Sequence, residues 1–403
     1  MYGLVFTAFV VATRFPSQLI FKPAELLAVS IPPALRLGLL RRSLPLGVGP
    51  ALLAGAAVAL STVLAPSTVP RDVVVALTVT GMLSAFVSPI QDHVRHMLHV
   101  SEASWRAAAM SALLVAAALV GLWMLPRFDA PAAWVPFGAL ALGNTVSLGA
   151  GLALARGHVV DPLELAKLAF RTLVHSGRWL LVVALLPTGA ALISSTLVIH
   201  LAGAAAMGYA EAGRVLGQPP WVLSMGLAAV LGPRSVRAAQ RGHLDDARAV
   251  SRLFSGLMLL VGLPYLALVG FPWAASPLTR LVPNAYHVPH LLLLSVIGNI
   301  VIGMDWPFRS ELIGSGRAST LAKLEAAANA ARTSIGATAG VIGAFAIPVG
   351  YLAHALVRSA GYRIALRPVY ARPTATANRP EPQRSLAAPD PVLPTVEPTR
   401  PAP

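Results

Sequence analysis

The groups in this chain that could do chemistry are a handful of charges set in apolar surroundings. Glu211 and Arg214 stand three positions apart in a segment that runs on as an apolar stretch to Pro233, so they share one face of a helix. Arg14 lies in an apolar stretch just ahead of Pro16. Glu325, Asn329 and Arg332 fall at i, i+4 and i+7, which makes one polar stripe on a helix. An ionisable group at mid-membrane costs at least ~2.5–3.5 kcal/mol on insertion scales, so such groups turn toward a bundle interior or a wet cavity. Each candidate therefore carries two readings. Glu211 and Arg214 either cancel one another within their helix or line a central cavity. Arg14 either lines the same cavity or snorkels to a nearby interface. The stripe either lines a cavity or pairs with another helix. His200 and Asn144 read as helix-to-helix hydrogen-bonding groups.

Residue types remove most alternatives. The chain has no cysteine, hence no disulfide, thiol nucleophile or thiolate metal site. A phosphate-cradling Gly-x-x-x-x-Gly-Lys loop is absent, so ATP is not the energy source. Clustered acids, or a nucleophile beside a base, are also missing, and no enzyme is expected. His93, His96 and His99 have helical spacing near a cytoplasmic edge, but they read as solvated loop residues. Neither a metal nor another cofactor is expected.

The elements that must carry these charges are membrane helices. Of 403 residues 56% are hydrophobic and only 12% charged, with a mean hydropathy of +0.69, against roughly 25% charged in soluble domains. A net charge of +15 would suggest nucleic acid in a soluble chain; here it reads as arginine gathered in cytoplasmic loops, and no nucleic-acid partner is expected. Eleven candidate spans are read: 3–21, 46–65, 73–90, 105–125, 134–155, 179–203, 205–232, 253–273, 288–304, 319–335 and 337–357. The span 319–335, with Lys323, Glu325 and Arg332, alternatively lies along the interface. Pro219 and Pro220 interrupt the span 205–232, which lipid tolerates only where neighbours satisfy the freed carbonyls.

Alternate loops hold most of the basic residues, Arg36, Arg41, Arg42, Arg234, Arg237 and Arg241 among them. The opposite connections hold Arg71, Arg127 and Arg280. This puts Met1 outside and the C-terminus in the cytoplasm. The stretches 161–170 and 234–252 read as lying along the membrane surface. Past Arg372 a Pro-rich segment reads as a disordered cytoplasmic tail. The divisions are a first membrane lobe at 1–160, a second at 161–362 and the tail region at 363–403.

The segments Met97–Ser104 and Leu312–Ser319 resemble one another at a separation of 215 positions. A looser match sets Gly3–Pro16 beside Gly208–Pro219. Both imply a parallel repeat about an axis along the membrane normal.

Several stretches together resemble the multidrug/oligosaccharidyl-lipid/polysaccharide exporter superfamily, most of all its polysaccharide-biosynthesis flippase branch. They are Gly208-Tyr-Ala-Glu-Ala-Gly-Arg214, Gly232-Pro-Arg234 with its basic loop, Asn284-Ala-Tyr-His-Val-Pro-His-Leu-Leu292, and Glu311-Leu-Ile-Gly-Ser-Gly-Arg-Ala-Ser319. The likeness covers about residues 3–362. It implies two six-helix lobes, so the chain reads as an all-α bundle of about eleven membrane helices that begins at the family's second helix. It also implies a flippase of lipid-linked oligosaccharide in a bacterial inner membrane, working by alternating access. Arg14 and Arg214 would hold the substrate pyrophosphate, with Glu211, Glu325 and Arg332 in the same cavity. Membrane lipids and polysaccharide-assembly proteins are the candidate partners. The alternatives are an ion-coupled multidrug exporter and a non-transporting scaffold of the same fold.

Overall fold

The computed structural model describes residues 2–64, 70–128, 131–155, 168–271 and 288–370. Among them every regular element is a helix. The first half comprises α1 (Tyr2–Pro16), α2 (Lys22–Val29), α3 (Pro33–Val63), α4 (Arg71–Val100), α5 (Ser104–Met124) and α6 (Val135–Leu154). The second comprises α7 (Phe170–Ala202), α8 (Ala204–Arg241), α9 (Leu244–Gly270), α10 (Pro289–Met304), α11 (Trp306–Gly314), α12 (Ala318–Gly336), the short α13 (Ala339–Ile342) and α14 (Ala346–Tyr370).

Nine helical stretches among the described residues are long and apolar enough to cross a bilayer. They coincide with nine of the eleven expected spans. The other two are helices that fall short for physical reasons. At the span expected at 3–21, α1 ends at Pro16, whose ring cannot donate to the ladder, and the chain continues through a π-helical turn at Ser17–Phe21. The span expected at 319–335 forms α12, whose Lys323, Glu325 and Arg332 lower its hydropathy. It packs along α14 and α7, with Glu325, Ala328 and Asn329 buried. A further correction concerns 22–45, expected as a loop. It folds as α2 and the opening of α3, with Arg36 only 3% exposed. The residues 161–167, 284–287 and the tail beyond 370 lie outside the described residues.

The exterior is apolar. On α5, Trp105, Leu119 and Trp123 are exposed and few residues are buried. Leu260, Leu263 and Val222 stand out in the same way on the second half. Surfaces of this kind face acyl chains, because water would penalise them and lipid does not.

Close backbone approach and carbonyl rescue hold the bundle together. Where α7 crosses the π-helical turn, a Cβ on Gly177 would meet the Gln18 carbonyl oxygen at 2.5 Å. Only glycine permits that contact. In α8 Pro220 frees the Leu216 carbonyl, and the Tyr265 hydroxyl on α9 donates to it at 2.6 Å. This is the compensation that lipid requires.

The repeat is legible in the backbone. After α4, Ser101, Glu102 and Ala103 donate to Met97, His99 and Leu98; after α11, Ser315, Gly316 and Arg317 donate to Glu311, Ile313 and Leu312. The third residue's bond to the carbonyl five positions back marks a Schellman-type turn. Each turn has one residue at positive φ, Glu102 at 65° and Gly316 at 75°. These equivalent turns are separated by 214 positions, so the sequence match at 215 is one residue out of register.

Candidate functional site: the seam between the two halves

Arg14, two residues before Pro16, is exposed. Its electrostatic neighbours are Arg309 of α11, in the other half, and Asp92 of α4. Asp92 is already bound to Arg95 at 2.7 Å. Neither Arg14 nor Arg309 reaches a carboxylate within salt-bridge distance among the described residues. Arg309 instead lies 4.8 Å from the Trp306 ring, and its Nε has no hydrogen-bond partner. Two guanidiniums of like charge, one from each half, thus influence one another electrostatically while neither is neutralised by a carboxylate among the described residues.

Arg309 is also an electrostatic neighbour of Glu325, which anchors a buried polar cluster in the second half. Glu325 accepts a short hydrogen bond from the Tyr362 hydroxyl, with Arg358 Nη1 at 3.7 Å and His354 Nε2 at 3.9 Å. Arg358 is held in turn by Asp305 at 3.4 Å and the Ile302 carbonyl at 2.7 Å. The cluster forms because α14 packs against both α12 and α10, so that Arg358 meets Glu325 on the one and Asp305, just past the end of the other. It is not fully satisfied: Glu325 Oε2, Asn329 Oδ1, Arg332 Nε and His354 Nδ1 are buried without hydrogen-bond partners.

Glu211 and Arg214 do pair, Nε to Oε2 at 2.6 Å, and both side chains stay about half exposed. They are not isolated from the cluster. Glu211 is an electrostatic neighbour of Arg332, Arg214 is one of Tyr351, and the Arg332 guanidinium lies 5.3 Å from the Tyr351 ring. The structure therefore brings Glu211, Arg214, Glu325 and Arg332 around one polar region of the second half. Arg14 reaches it through Arg309.

Sequence reasoning missed Arg309, Asp305, His354, Arg358 and Tyr362. A signal was present for three of them: His354, Arg358 and Tyr362 are spaced i, i+4, i+8, a polar stripe of the kind noted for α12. The three histidines are a correction. They lie in the last turns of α4 rather than in a loop, and His93 is stacked 4.2 Å from Phe21 and bound to Glu25 and Ser43. His99 turns away, to Ser104 at 3.2 Å. Asn144 is buried with its Nδ2 unpartnered, and His200 is exposed near the end of α7.

Two coverings of about nine-tenths define the likeness to solved structures. A transporter of the MOP superfamily from Pyrococcus furiosus aligns with a TM-score of 0.70 at 14% identity, over 92% of this chain and 88% of that one. The Vibrio cholerae MATE transporter VcmN, as a single-residue variant, aligns at 0.68 and 16%, over 92% and 90%. The fold is that of the MATE transporters. A multidrug resistance MATE transporter in an outward-facing conformation matches it as well, at 0.67 and 13% over 92% and 87%. No family model and no curated protein matches the sequence. With this fold the chain is a multi-pass membrane protein.

Proposed function

We propose that this chain is an exporter that moves a phosphate-bearing, anionic amphiphile, of the class of lipid-linked saccharides, by alternating access. It would work in a bacterial inner membrane with its arginine-rich end in the cytoplasm. The observation that carries this reading is that Arg14 and Arg309, one from each half, act on one another electrostatically and have no carboxylate within salt-bridge distance among the described residues. Two like charges in a partly dry seam repel, and an anion placed between them converts that cost into two charge-assisted hydrogen bonds. Guanidiniums suit phosphate because their planar forks bind it in bidentate fashion. The sugar would occupy the seam while the lipid tail stays among the acyl chains beside the exposed apolar faces.

The halves are also joined at the arginine-rich end. Glu102 of the first half accepts from Arg36 at 3.2 Å and from Arg237 of the second half at 3.0 Å. Opening the seam to that side requires this clasp to part. A second reading, an ion-coupled multidrug exporter, is favoured by the buried carboxyls Glu325 and Asp305, since a cation or a proton suits them better than an anion does.

The experiment is flipping in proteoliposomes of a fluorescent polyprenyl-pyrophosphate saccharide, compared with efflux of a lipophilic cationic dye. The anion reading expects the first to depend on Arg14 and Arg309, with Arg14→Ala and Arg309→Ala each lowering it by roughly tenfold or more, as loss of a charged hydrogen bond implies. Dye efflux abolished by Glu325→Gln but insensitive to both arginines would overturn it in favour of the multidrug reading.

A further inference from the structure

The second half carries a cleft that lies apart from the seam. It opens between the start of α9, helix α11 and the last turns of α14, and encloses about 540 Å³. Its walls are apolar, formed by side chains such as Leu244, Phe308 and Leu366. Three exposed guanidiniums stand along it: Arg248 from α9, and Arg363 and Arg367 one helical turn apart on α14. Arg363 lies 5.3 Å from the Phe308 ring, while Arg248 shares a loose 3.7 Å pair with Asp245.

Glu311, a carboxyl only 3% exposed, is the most buried polar group of the lining. One of its oxygens, Oε2, accepts from the Tyr370 hydroxyl at 2.8 Å. The other, Oε1, is buried with no hydrogen-bond partner. Leaving a buried acceptor unmet is costly, and the group that relieves it must be a donor. The cleft therefore asks for three things in one molecule: alkyl substance for its walls, phosphate for its arginines, and an N–H donor for Glu311.

We infer that this cleft binds an amine-bearing phospholipid of the phosphatidylethanolamine type, taken from the leaflet at the arginine-rich end. Its phosphate lies between Arg363 and Arg367, its ammonium donates to Glu311 Oε1, and an acyl chain follows the apolar wall. A choline headgroup carries no N–H, and a glycerol headgroup brings only neutral hydroxyls to the carboxyl. Basic side chains at helix ends meet phosphates at this depth of a membrane, and the buried acceptor supplies the selectivity that charge alone lacks.

Native mass spectrometry of the full-length protein, after delipidation and titration with matched-chain lipids, tests this. Phosphatidylethanolamine should be retained over phosphatidylcholine and phosphatidylglycerol by roughly tenfold, the effect of one charge-assisted bond to a buried oxygen. In Glu311→Gln, Tyr370 keeps the amide oxygen, so the cleft is offered an NH₂ donor, and the preference for the amine should vanish while the phospholipids still bind. Arg363→Ala with Arg367→Ala should weaken retention of all three. So that the test does not depend on the variants folding, wild-type protein is also cross-linked with a phosphatidylethanolamine carrying a photoreactive acyl tail, and peptides of α9 and α14 should be labelled. Equal retention of the three lipids by the wild type, labelling confined to other helices, or inorganic phosphate giving the same thermal stabilisation as the lipid would each overturn the inference.

Discussion

In the first half Glu25 sits among Lys22 at 3.0 Å and His93 at 3.2 Å, and the other ring nitrogen of His93 meets Ser43 at 3.0 Å. In the second half Glu325 sits among Tyr362, Arg358 and His354. Both carboxyls are buried, and both lie where three helical elements converge. The difference is in what is left over. Around Glu25 each carboxylate oxygen and each His93 nitrogen has a partner, and the ring is fixed by its stack on Phe21. Around Glu325 four buried polar atoms have none. A closed network of this kind rigidifies a core, whereas an open one keeps donors and acceptors in reserve for something that comes and goes. The first cluster is architecture; the second holds the unpartnered polar groups that the proposed transport role draws on.

The largest effect should come from breaking the closed cluster. His93→Ala leaves the buried Glu25 carboxylate without its ring partner and removes the surface on which Phe21 stacks. Leaving a buried carboxylate oxygen unmet costs about 1–3 kcal/mol or more, and the cavity left by the ring adds to it. Thermal unfolding in detergent should show a clear drop, while transport per folded molecule changes little. Glu325→Gln should do the reverse, with stability nearly kept and transport impaired. The opposite pattern, a stable His93→Ala and an unfolding Glu325→Gln, would invert the comparison.

A second prediction concerns the contact through which the second half rests on the first. Gly177→Leu drives a side chain into the Gln18 carbonyl and Leu19 backbone, which cannot retreat without moving the π-helical turn next to Arg14. Overpacking costs typically ~1–3 kcal/mol. Its distinctive readout is a loss of transport larger than the loss of stability, since it displaces the seam. A Cβ at Gly189 on the same helix would meet nothing within 4 Å, so Gly189→Ala should be silent in both assays.

How much of this was legible in the sequence follows from the range of each signal. Composition and apolar run length disclosed an all-helical membrane bundle because hydropathy is local and additive, and nine of eleven spans coincide with helices that meet the length and apolarity requirement. The two that did not meet it, around Pro16 and around Glu325, are where the chain departs from an apolar cylinder to carry polar groups. The inward turn of Glu325 was readable from its spacing with Asn329 and Arg332. Its partners were not, because Arg358 and Tyr362 lie 33 and 37 positions away and only packing joins them. Glu25 shows the same limit: in sequence it is one acid in an expected loop, and only the return of α4 past α2 supplies His93. The repeat was visible one residue out of register because Glu102 occupies a position where its counterpart is Gly316, and residue identity misleads where backbone geometry agrees.

A smaller effect is expected at Tyr265. Tyr265→Phe leaves the Leu216 carbonyl without its donor beside Pro220. Hydrogen bonds between membrane helices contribute about 0.6 kcal/mol on average and up to about 1.7. A modest fall in unfolding temperature, with α8 still helical through Pro220, is the expected outcome. No change at all would mean that water or the backbone already serves that carbonyl.

The smallest and most conditional effect belongs to Glu102, which joins the halves without belonging to either cluster. A non-glycine residue at φ 65° is strained by roughly 1–3 kcal/mol, and its counterpart Gly316 has no such cost. What holds Glu102 there is its carboxylate, shared between Arg237 and Arg36. Those bonds, Arg237 first, lower its pKa below the ordinary carboxylate value. With a depressed folded-state value, the stabilisation is present above the unfolded-state pKa and is lost as pH falls through the folded-state one. Because the side chain is about half exposed, water and salt screen the contribution, so global stability should move by well under ~1 kcal/mol. The sensitive readout is the distance between spin labels placed on the arginine-rich ends of the two halves. It should lengthen once pH falls below the ordinary carboxylate range, or as salt rises, in the wild type only. In Glu102→Gln the distance should already be long and indifferent to pH. Glu102→Gly separates the two contributions: it relieves the backbone and removes the clasp, so unfolding should be nearly unchanged while the halves part. If the Gly variant keeps the halves together, shape rather than charge closes that end of the seam.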